Sequence, residues 1–145
     1  MDRRSFIRLA VAGSATGIIA PQVVLGAAHG GPLKGNMAGG IFYTKESPGR
    51  WAKKAGPHLP SISKSSGKGG TIIDVVTGHP MKKFDHYIVK HMILDKDFNF
   101  MTEHFFNPLT DKAATSQFNV KDYSGALYAL SVCNKHDSWL NVIEV

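Results

Sequence analysis

The sequence is poor in cysteine: a single one, Cys133, stands in a chain of 145 residues. One thiol cannot form a disulfide within its own chain, so a fold held together by internal disulfides is excluded. The thiol is therefore buried and inert, paired between two chains, or bound to a metal.

Long apolar runs and dense basic runs are also missing. The apolar stretch from Leu9 to Ala20 is shorter than the roughly 20 residues that a membrane-spanning helix needs. Lys and Arg number 17 against 11 Asp and Glu, without a basic run among aromatic residues, which argues against nucleic-acid binding. The net charge of +6 suits a small anionic substrate, and solubility explains it equally well.

The N-terminus has the composition of an export signal. Arg3 and Arg4 precede an apolar stretch that ends in small residues, as in a secretory signal. The Arg pair followed by Ser-Phe-Ile resembles the twin-arginine signal, which a receptor reads. We expect residues 1–28 to be removed and residues 29–145 to form one domain in the periplasm.

Residues beyond 70 favour strands. β-branched and alternating segments are separated by turn residues at intervals near ten residues, which is typical of an all-β sandwich. The predicted strands are 71–77, 87–94, 98–106, 116–120, 126–132 and 139–145. A short strand is also expected at 41–43, whereas Gly and Ser between 65 and 70 predict a flexible loop.

Seven histidines are present, and two pairs stand at spacings that suit a metal site. Cys133 and His136 are three residues apart just after a predicted strand, so both side chains are able to reach one metal from a tight turn. His79 and His86 flank a loop, and Pro80 forces His79 into an extended conformation.

The other histidines differ in context. His58 lies between Pro57 and Pro60, which limits its freedom. His91 and His104 fall within predicted strands and are expected to be structural or surface residues. His29 is assigned no role.

Taken in order, these residues resemble the desulfoferrodoxin and neelaredoxin superoxide reductases. That family has a histidine about twenty residues before a His-Pro pair, and here the separation is 21 residues. The resemblance runs from about residue 58 onward. Its segments are His58-Leu59-Pro60, His79-Pro80-Met81, His86-Tyr87-Ile88, Cys133-Asn134-x-His136 and Trp139.

The resemblance implies an immunoglobulin-like β-sandwich and one mononuclear iron that cycles between Fe2+ and Fe3+. Four histidine nitrogens would lie in one plane and a cysteine sulfur would be axial, which leaves a sixth position open. Imidazole suits iron, and a thiolate pushes electron density toward the open site. Five protein ligands exceed the four of a structural zinc site. By position the ligands are His58, His79, His86, His136 and Cys133.

The chain departs from the family pattern at three places. Seven positions separate His79 from His86, one more than is usual. Gly56-Pro57 replaces a Glu-Lys pair whose lysine draws in the substrate, which leaves Lys53 and Lys54 as candidates for that role. Asp137 stands where the family has glycine, and its carboxylate is expected to repel an anion.

The implied activity is reduction of superoxide to hydrogen peroxide, with an unidentified external electron donor and with homo-oligomerisation left open. Without a second cysteine the chain lacks a rubredoxin-like iron domain and matches the one-iron type. The missing Glu-Lys pair supports a non-enzymatic iron electron carrier or ligand sensor instead. A blue-copper carrier would need an axial Met after His136, and residues 137–145 contain neither Met nor Gln.

Overall fold

The computed structural model describes residues 37–145. The expected export signal, residues 1–28, lies outside the described residues, as does the start of the domain predicted to follow it. In the described part of the chain, no helix combines the length and apolarity that crossing a membrane requires.

Antiparallel strands form two sheets, with the order β1-β2-β5 in one and β4-β3-β6-β7 in the other. This arrangement confirms the predicted all-β, immunoglobulin-like sandwich. The strands are β1 (Ser61–Gly67), β2 (Gly70–Thr77), β3 (Ile88–Leu94), β4 (Phe100–Phe105), β5 (Ala114–Val120), β6 (Ala126–Cys133) and β7 (Asp137–Glu144).

The core lies between the two sheets and follows from residue alternation along the strands. In β5 every second residue from Ala114 to Val120 is buried and those between them are exposed. Fully burying one large apolar side chain stabilises a fold by about 1.5–3 kcal/mol. The buried residues of the main cluster are Ile73, Val75, Ile93, Phe118, Val120, Leu127 and Ala129.

The expectation of a flexible loop before residue 70 is wrong. β1 pairs with β2 along its whole length, from Ser61 opposite Val76 to Gly67 opposite Gly70. A two-residue turn joins the strands, and Gly69 adopts a φ of +81° there, which glycine tolerates without strain. β1 is a polar edge strand, so it lacks the apolar alternation that identifies a half-buried strand.

The chain before β1 crosses the edge of the second sheet and leads to the end of the sandwich where His58 lies. The strand expected at 41–43 is reduced to isolated bridges, one of them between Tyr43 and Trp139 of β7. A 3₁₀ helix (Gly49–Lys54) and a single α-helical turn, α1 (Ala55–His58), follow. These helical residues place His58 at one end of the sandwich.

Candidate metal centre

Five potential metal ligands meet at this end of the sandwich. Their ligand atoms all lie within 4.8 Å of one another. They come from the end of α1, the two ends of the β2–β3 loop, the end of β6 and the β6–β7 turn. These five are the side chains predicted from the sequence: His58, His79, His86, Cys133 and His136.

Imidazole nitrogens face one another at the centre of the cluster. Nε2 of His79 and Nε2 of His86 are 3.0 Å apart. Nδ1 of His136 lies 2.9 Å from Nε2 of His86 and 3.0 Å from Nε2 of His58. A neutral imidazole has one N–H and one lone pair, and the buried Nδ1 of His79 has no hydrogen-bond partner, so the hydrogen bonds of this cluster leave one ring nitrogen unsatisfied. A cation at its centre would accept all of these lone pairs.

The fifth potential ligand is the thiol of Cys133, which is buried in the protein interior. Its Sγ lies 3.7 Å from Nδ1 of His136, and the backbone N–H of Lys135 donates to it at 3.4 Å. Burial raises the pKa of the free Cys133 thiol. A bound metal reverses that effect, because a coordinated thiol is deprotonated outright.

Burial keeps the histidines neutral, which is the form that binds a metal. Desolvation is the main cause that lowers the pKa of His58 and of His79 from 6.5 to about 4. Desolvation also lowers the pKa of the more exposed His86 and His136. Fewer protons therefore compete with a metal for these four nitrogens.

His58 is held in one tautomer by the helix that carries it. Its Nδ1–H donates to the backbone carbonyl of Lys54 at 2.8 Å. The other ring nitrogen, Nε2, is therefore free of a proton and turned toward the cluster. A hydrogen bond of this kind fixes both the tautomer and the orientation of a metal-binding histidine.

Asn134 joins the two loops that carry the remaining ligands. Its Oδ1 accepts from the backbone N–H of Tyr87 at 3.0 Å, and its Nδ2 donates to the carbonyls of Phe84 and Asp85 at 3.3 and 3.2 Å. Its backbone N–H also donates to the carbonyl of Tyr87 at 3.2 Å. The β6–β7 turn and the segment around His86 are thus fixed relative to each other.

The long spacing between His79 and His86 is accommodated inside the loop. The backbone N–H of Lys82 donates to the carbonyl of His86 at 2.8 Å, so the loop folds back on itself. Lys83 adopts a φ of +50° at the turn. Both histidines reach the cluster despite the additional residue.

Asp137 does not present a free charge to the cluster. Its Oδ2 accepts from Nε1 of Trp51 at 2.8 Å and from the guanidinium of Arg50 at 2.5 Å. The Trp51 hydrogen bond and then the Arg50 hydrogen bond are the largest causes that lower its pKa. Its φ of +60° lies in the left-handed region, where glycine is at ease and Asp is tolerated.

The two lysines proposed to attract substrate, Lys53 and Lys54, lie exposed at the end of the 3₁₀ helix. The positive charge of Lys54 acts on the cluster. Desolvation is the largest cause that lowers the pKa of His136, and the Lys54 charge is the second largest. Gly56 and Pro57 bring no charged side chain to this segment.

Two histidines outside the cluster are placed as expected. His91 is fully buried, with Nε2 2.9 Å from the Thr77 hydroxyl and Nδ1 2.8 Å from the Ser116 hydroxyl. His104 is exposed on β4. Neither belongs to the group of five.

Sequence reasoning missed the residues that support the ligands. The ring of Trp51 packs edge-on against His136, with 4.7 Å between ring centroids. The hydrogen bonds of Asn134 were not anticipated either. These contacts join residues far apart in the chain, and only the presence of Asn134 between two predicted ligands was a signal.

Four imidazoles and one cysteine sulfur that converge at one end of the sandwich form the donor set of a mononuclear metalloprotein. The family model for desulfoferrodoxin matches residues 49–142, and the chain belongs to that family. The comparison with curated proteins gives no match.

Solved structures of superoxide reductases share this fold. The superoxide reductase (neelaredoxin) from Ignicoccus hospitalis is 25% identical, with a TM-score of 0.56 over 72% of this chain and 94% of that one. A variant of the Archaeoglobus fulgidus neelaredoxin in the reduced form is 19% identical, with a TM-score of 0.53 over 64% and 91%. The Nanoarchaeum equitans superoxide reductase is 17% identical, with a TM-score of 0.51 over 61% and 93%. At these lower identities the last two show the fold alone.

The donor set fits an iron ion. Imidazole nitrogen and thiolate sulfur are both iron ligands, and these four histidines and one cysteine would hold the ion with fewer protein donors than the six that iron is able to bind. A structural zinc site would use four ligands and leave the fifth without a role. Family membership together with this group of side chains confirms the predicted mononuclear iron cofactor.

Proposed function

We propose that the protein is a one-iron superoxide reductase. The observation that carries this proposal is the convergence of four histidines and the only cysteine within 4.8 Å, in a chain of the desulfoferrodoxin family. When bound, the iron supplies one electron to superoxide, which with two protons becomes hydrogen peroxide. An external donor, as yet unidentified, then returns the electron.

The proposed ligands differ in their exposure to solvent, so the cluster is accessible from one side. Cys133, His58 and His79 are buried, whereas His86 and His136 are partly exposed. A small anion therefore reaches the cluster from the side of His86 and His136. Solvent on that side supplies the protons for peroxide.

Lys54, with Lys53 beside it, attracts the anion in this proposal. Both ammonium groups are exposed, and the Lys54 charge acts on His136 at the open side of the cluster. Because Asp137 is paired with Arg50, its carboxylate opposes this attraction only weakly.

Iron content and superoxide reactivity test the proposal together. The purified protein should contain about one iron per chain, and its oxidised form should show a thiolate-to-iron charge-transfer band that Cys133→Ser abolishes. The reduced protein should consume superoxide much faster than free ferrous ion does. Full iron without that reactivity would favour the alternative, an iron electron carrier or ligand sensor, which the absence of a charged pair at Gly56-Pro57 supports.

We further propose that the protein is exported to the periplasm by the twin-arginine route. The support is the sequence of residues 1–28, with Arg3 and Arg4 before an apolar stretch. Replacing both arginines with lysine should retain the protein in the cytoplasm on cell fractionation. Unchanged export of that variant would contradict this route.

A further inference from the structure

The carboxylate of Asp137 reaches back from the β6–β7 turn to the 3₁₀ helix. Its Oδ2 accepts from Nε1 of Trp51 at 2.8 Å and from Arg50 at 2.5 Å. The Arg50 guanidinium also lies over the Trp51 ring, 4.9 Å from its centroid. Two side chains of the 3₁₀ helix thus converge on one carboxylate oxygen that lies more than eighty residues further along the chain.

Trp51 connects this group to a proposed metal ligand. Its ring meets the His136 imidazole edge-on, with 4.7 Å between centroids and an interplanar angle of 84°. Asp137 follows His136 directly in the chain. Asp137 therefore holds Trp51 in place, and Trp51 in turn restrains the ring of His136.

The helix at the other end of the group carries a second ligand. The carbonyl of Lys54, the last residue of the 3₁₀ helix, accepts from Nδ1 of His58. Nε2 of His58 then lies 3.0 Å from Nδ1 of His136. Any movement of this helix relative to the β6–β7 turn changes the distance between these two nitrogens.

We propose that Arg50, Trp51 and Asp137 form a clamp that positions His58 and His136 around the metal. None of the three offers a ligand atom to the cluster, so they are positioning residues. This inference rests on the proposed iron site and adds to it the device that sets the separation of two ligands.

The backbone of Asp137 supports this reading. Its φ of +60° is a conformation that Asp adopts but that glycine adopts at lower cost. The Asp137 carboxylate offsets this cost with the two hydrogen bonds that it accepts from Trp51 and Arg50. Replacing it with glycine relaxes the backbone and at the same time removes the clamp, so stability and ligand positioning are expected to change in opposite directions.

Four variants of the iron-loaded protein test the clamp. Trp51→Phe keeps the ring and removes the N–H, Asp137→Gly removes the carboxylate, Asp137→Asn keeps an acceptor oxygen, and the fourth combines Trp51→Phe with Asp137→Gly. Asp97→Asn is the matched control, because Asp97 forms an exposed ion pair with Lys96 away from the site. Iron content, the charge-transfer band, the rate of iron loss to a chelator and the melting temperature are measured for each.

Trp51→Phe and Asp137→Gly should each shift the charge-transfer band and speed iron loss about tenfold, as when other supporting groups around metals are removed. The double variant should be no faster than the worse single one, because both changes break one interaction. Asp137→Asn should be intermediate, and Asp97→Asn should match the wild type. The melting temperature of the metal-free Asp137→Gly protein should not fall.

Wild-type rates and spectra in both Trp51→Phe and Asp137→Gly would overturn the clamp. Multiplied effects in the double variant would also overturn it, since they would show two independent interactions. A wild-type protein that takes up no iron would instead refute the proposed function, so the two failures are distinguishable.

Discussion

His91 shows how one buried side chain links the two sheets and makes stability depend on pH. Its ring nitrogens contact Thr77 of β2 and Ser116 of β5, and the Thr77 hydroxyl also donates to Ser131 of β6 at 2.9 Å. Burial is the main cause that lowers the pKa of His91 from 6.5 to about 4, and the charge of His104 adds to it.

Acidification should therefore destabilise the protein through His91. Between about pH 6.5 and 4 the unfolded chain binds a proton that the folded chain does not, so this stabilisation is complete above pH 6.5 and is lost as the pH falls toward 4. The loss at pH 5 is about 2 kcal/mol. Urea unfolding of iron-loaded wild type and His91→Gln at pH 7.5 and 5 measures it.

The His91→Gln protein should be less stable at pH 7.5, and its stability should fall less on acidification. Effects of pH on the metal ligands are common to both proteins and cancel in the difference. Parallel pH profiles would show that His91 does not titrate as its burial requires.

Lys53 and Lys54 should affect the rate of superoxide consumption without affecting iron content. Replacing both with Ala removes two positive charges near the open side of the cluster. The attraction of superoxide by such charges depends on their number and on the ionic strength. We expect the second-order rate to fall roughly threefold or more at low salt. Stopped-flow measurements at several ionic strengths test this.

Lys54→Ala alone should account for most of the decrease, since it is the Lys54 charge that acts on His136. Lys112→Ala, a change of the same charge on the loop before β5, is the control and should react like the wild type. An equal decrease in the control would mean that only net charge matters.

At the scale of single residues, the sequence indicated the five side chains that form the cluster but not the residues that support them. Cys133 and His136 stand three residues apart, and proline beside His58 and His79 restricts their backbone, so local spacing carries that information. The contact of Trp51 with His136 depends on how the chain before β1 crosses the sandwich. No local pattern encodes that path.

Among the structural elements, the strands with an apolar face were predictable and the polar one was not. β5 alternates between buried and exposed residues along its whole length, which the sequence shows directly. β1 has the sequence Ser-Ile-Ser-Lys-Ser-Ser-Gly and exposes most of its side chains. Its strand conformation comes from backbone pairing with β2, which composition does not reveal.

The crossing of the 3₁₀ helix and the preceding segment depends on Gly49. A Cβ placed on Gly49 would lie 2.1 Å from the carbonyl oxygen of Gly39, and its φ of +47° also disfavours a side chain. Gly49→Ala should therefore displace the start of the helix and destabilise the fold by about 1–3 kcal/mol. Thermal unfolding of the iron-loaded protein measures the loss.

Gly56→Ala is the matched control for this substitution. Nothing lies within 4 Å of a Cβ at Gly56, which belongs to the short helix α1. Alanine favours the helix by up to about 1 kcal/mol over glycine, so this variant should melt at the wild-type temperature or slightly above it. Equal melting temperatures for the two variants would contradict the close contact at Gly49.

For the molecule as a whole, the metal should contribute directly to stability. The four imidazoles converge with nitrogens 2.9–3.0 Å apart, and the free energy of metal binding at such a site adds to the free energy of folding. Removal of iron should lower the melting temperature by several degrees or more. Calorimetry of the same preparation before and after chelation measures the change.

Cys133→Ser, which weakens the site but keeps its shape, should melt between the iron-loaded and metal-free wild type when iron is supplied. Added iron should restore the melting temperature of the chelated wild type. A melting temperature that is indifferent to iron would show that the cluster is already satisfied without a metal.

The sandwich itself was predictable at this scale because strand length, turn spacing and alternation all favour one fold class. The pairing order of the strands was not, since it depends on contacts between distant segments. The two-sheet order β1-β2-β5 and β4-β3-β6-β7 required the structure.

The order of the donors along the chain has a consequence for biosynthesis. His58, His79 and His86 precede β3, whereas Cys133 and His136 lie at the end of β6 and in the turn after it. A nascent chain that has reached only β5 holds three donors and lacks the sulfur. Because β6 pairs with β3 and β7, the metal pocket closes only when the central strands of the second sheet have come together. We therefore expect iron loading to follow the folding of the second sheet, because a chain that ends at β5 holds only three of the five donors.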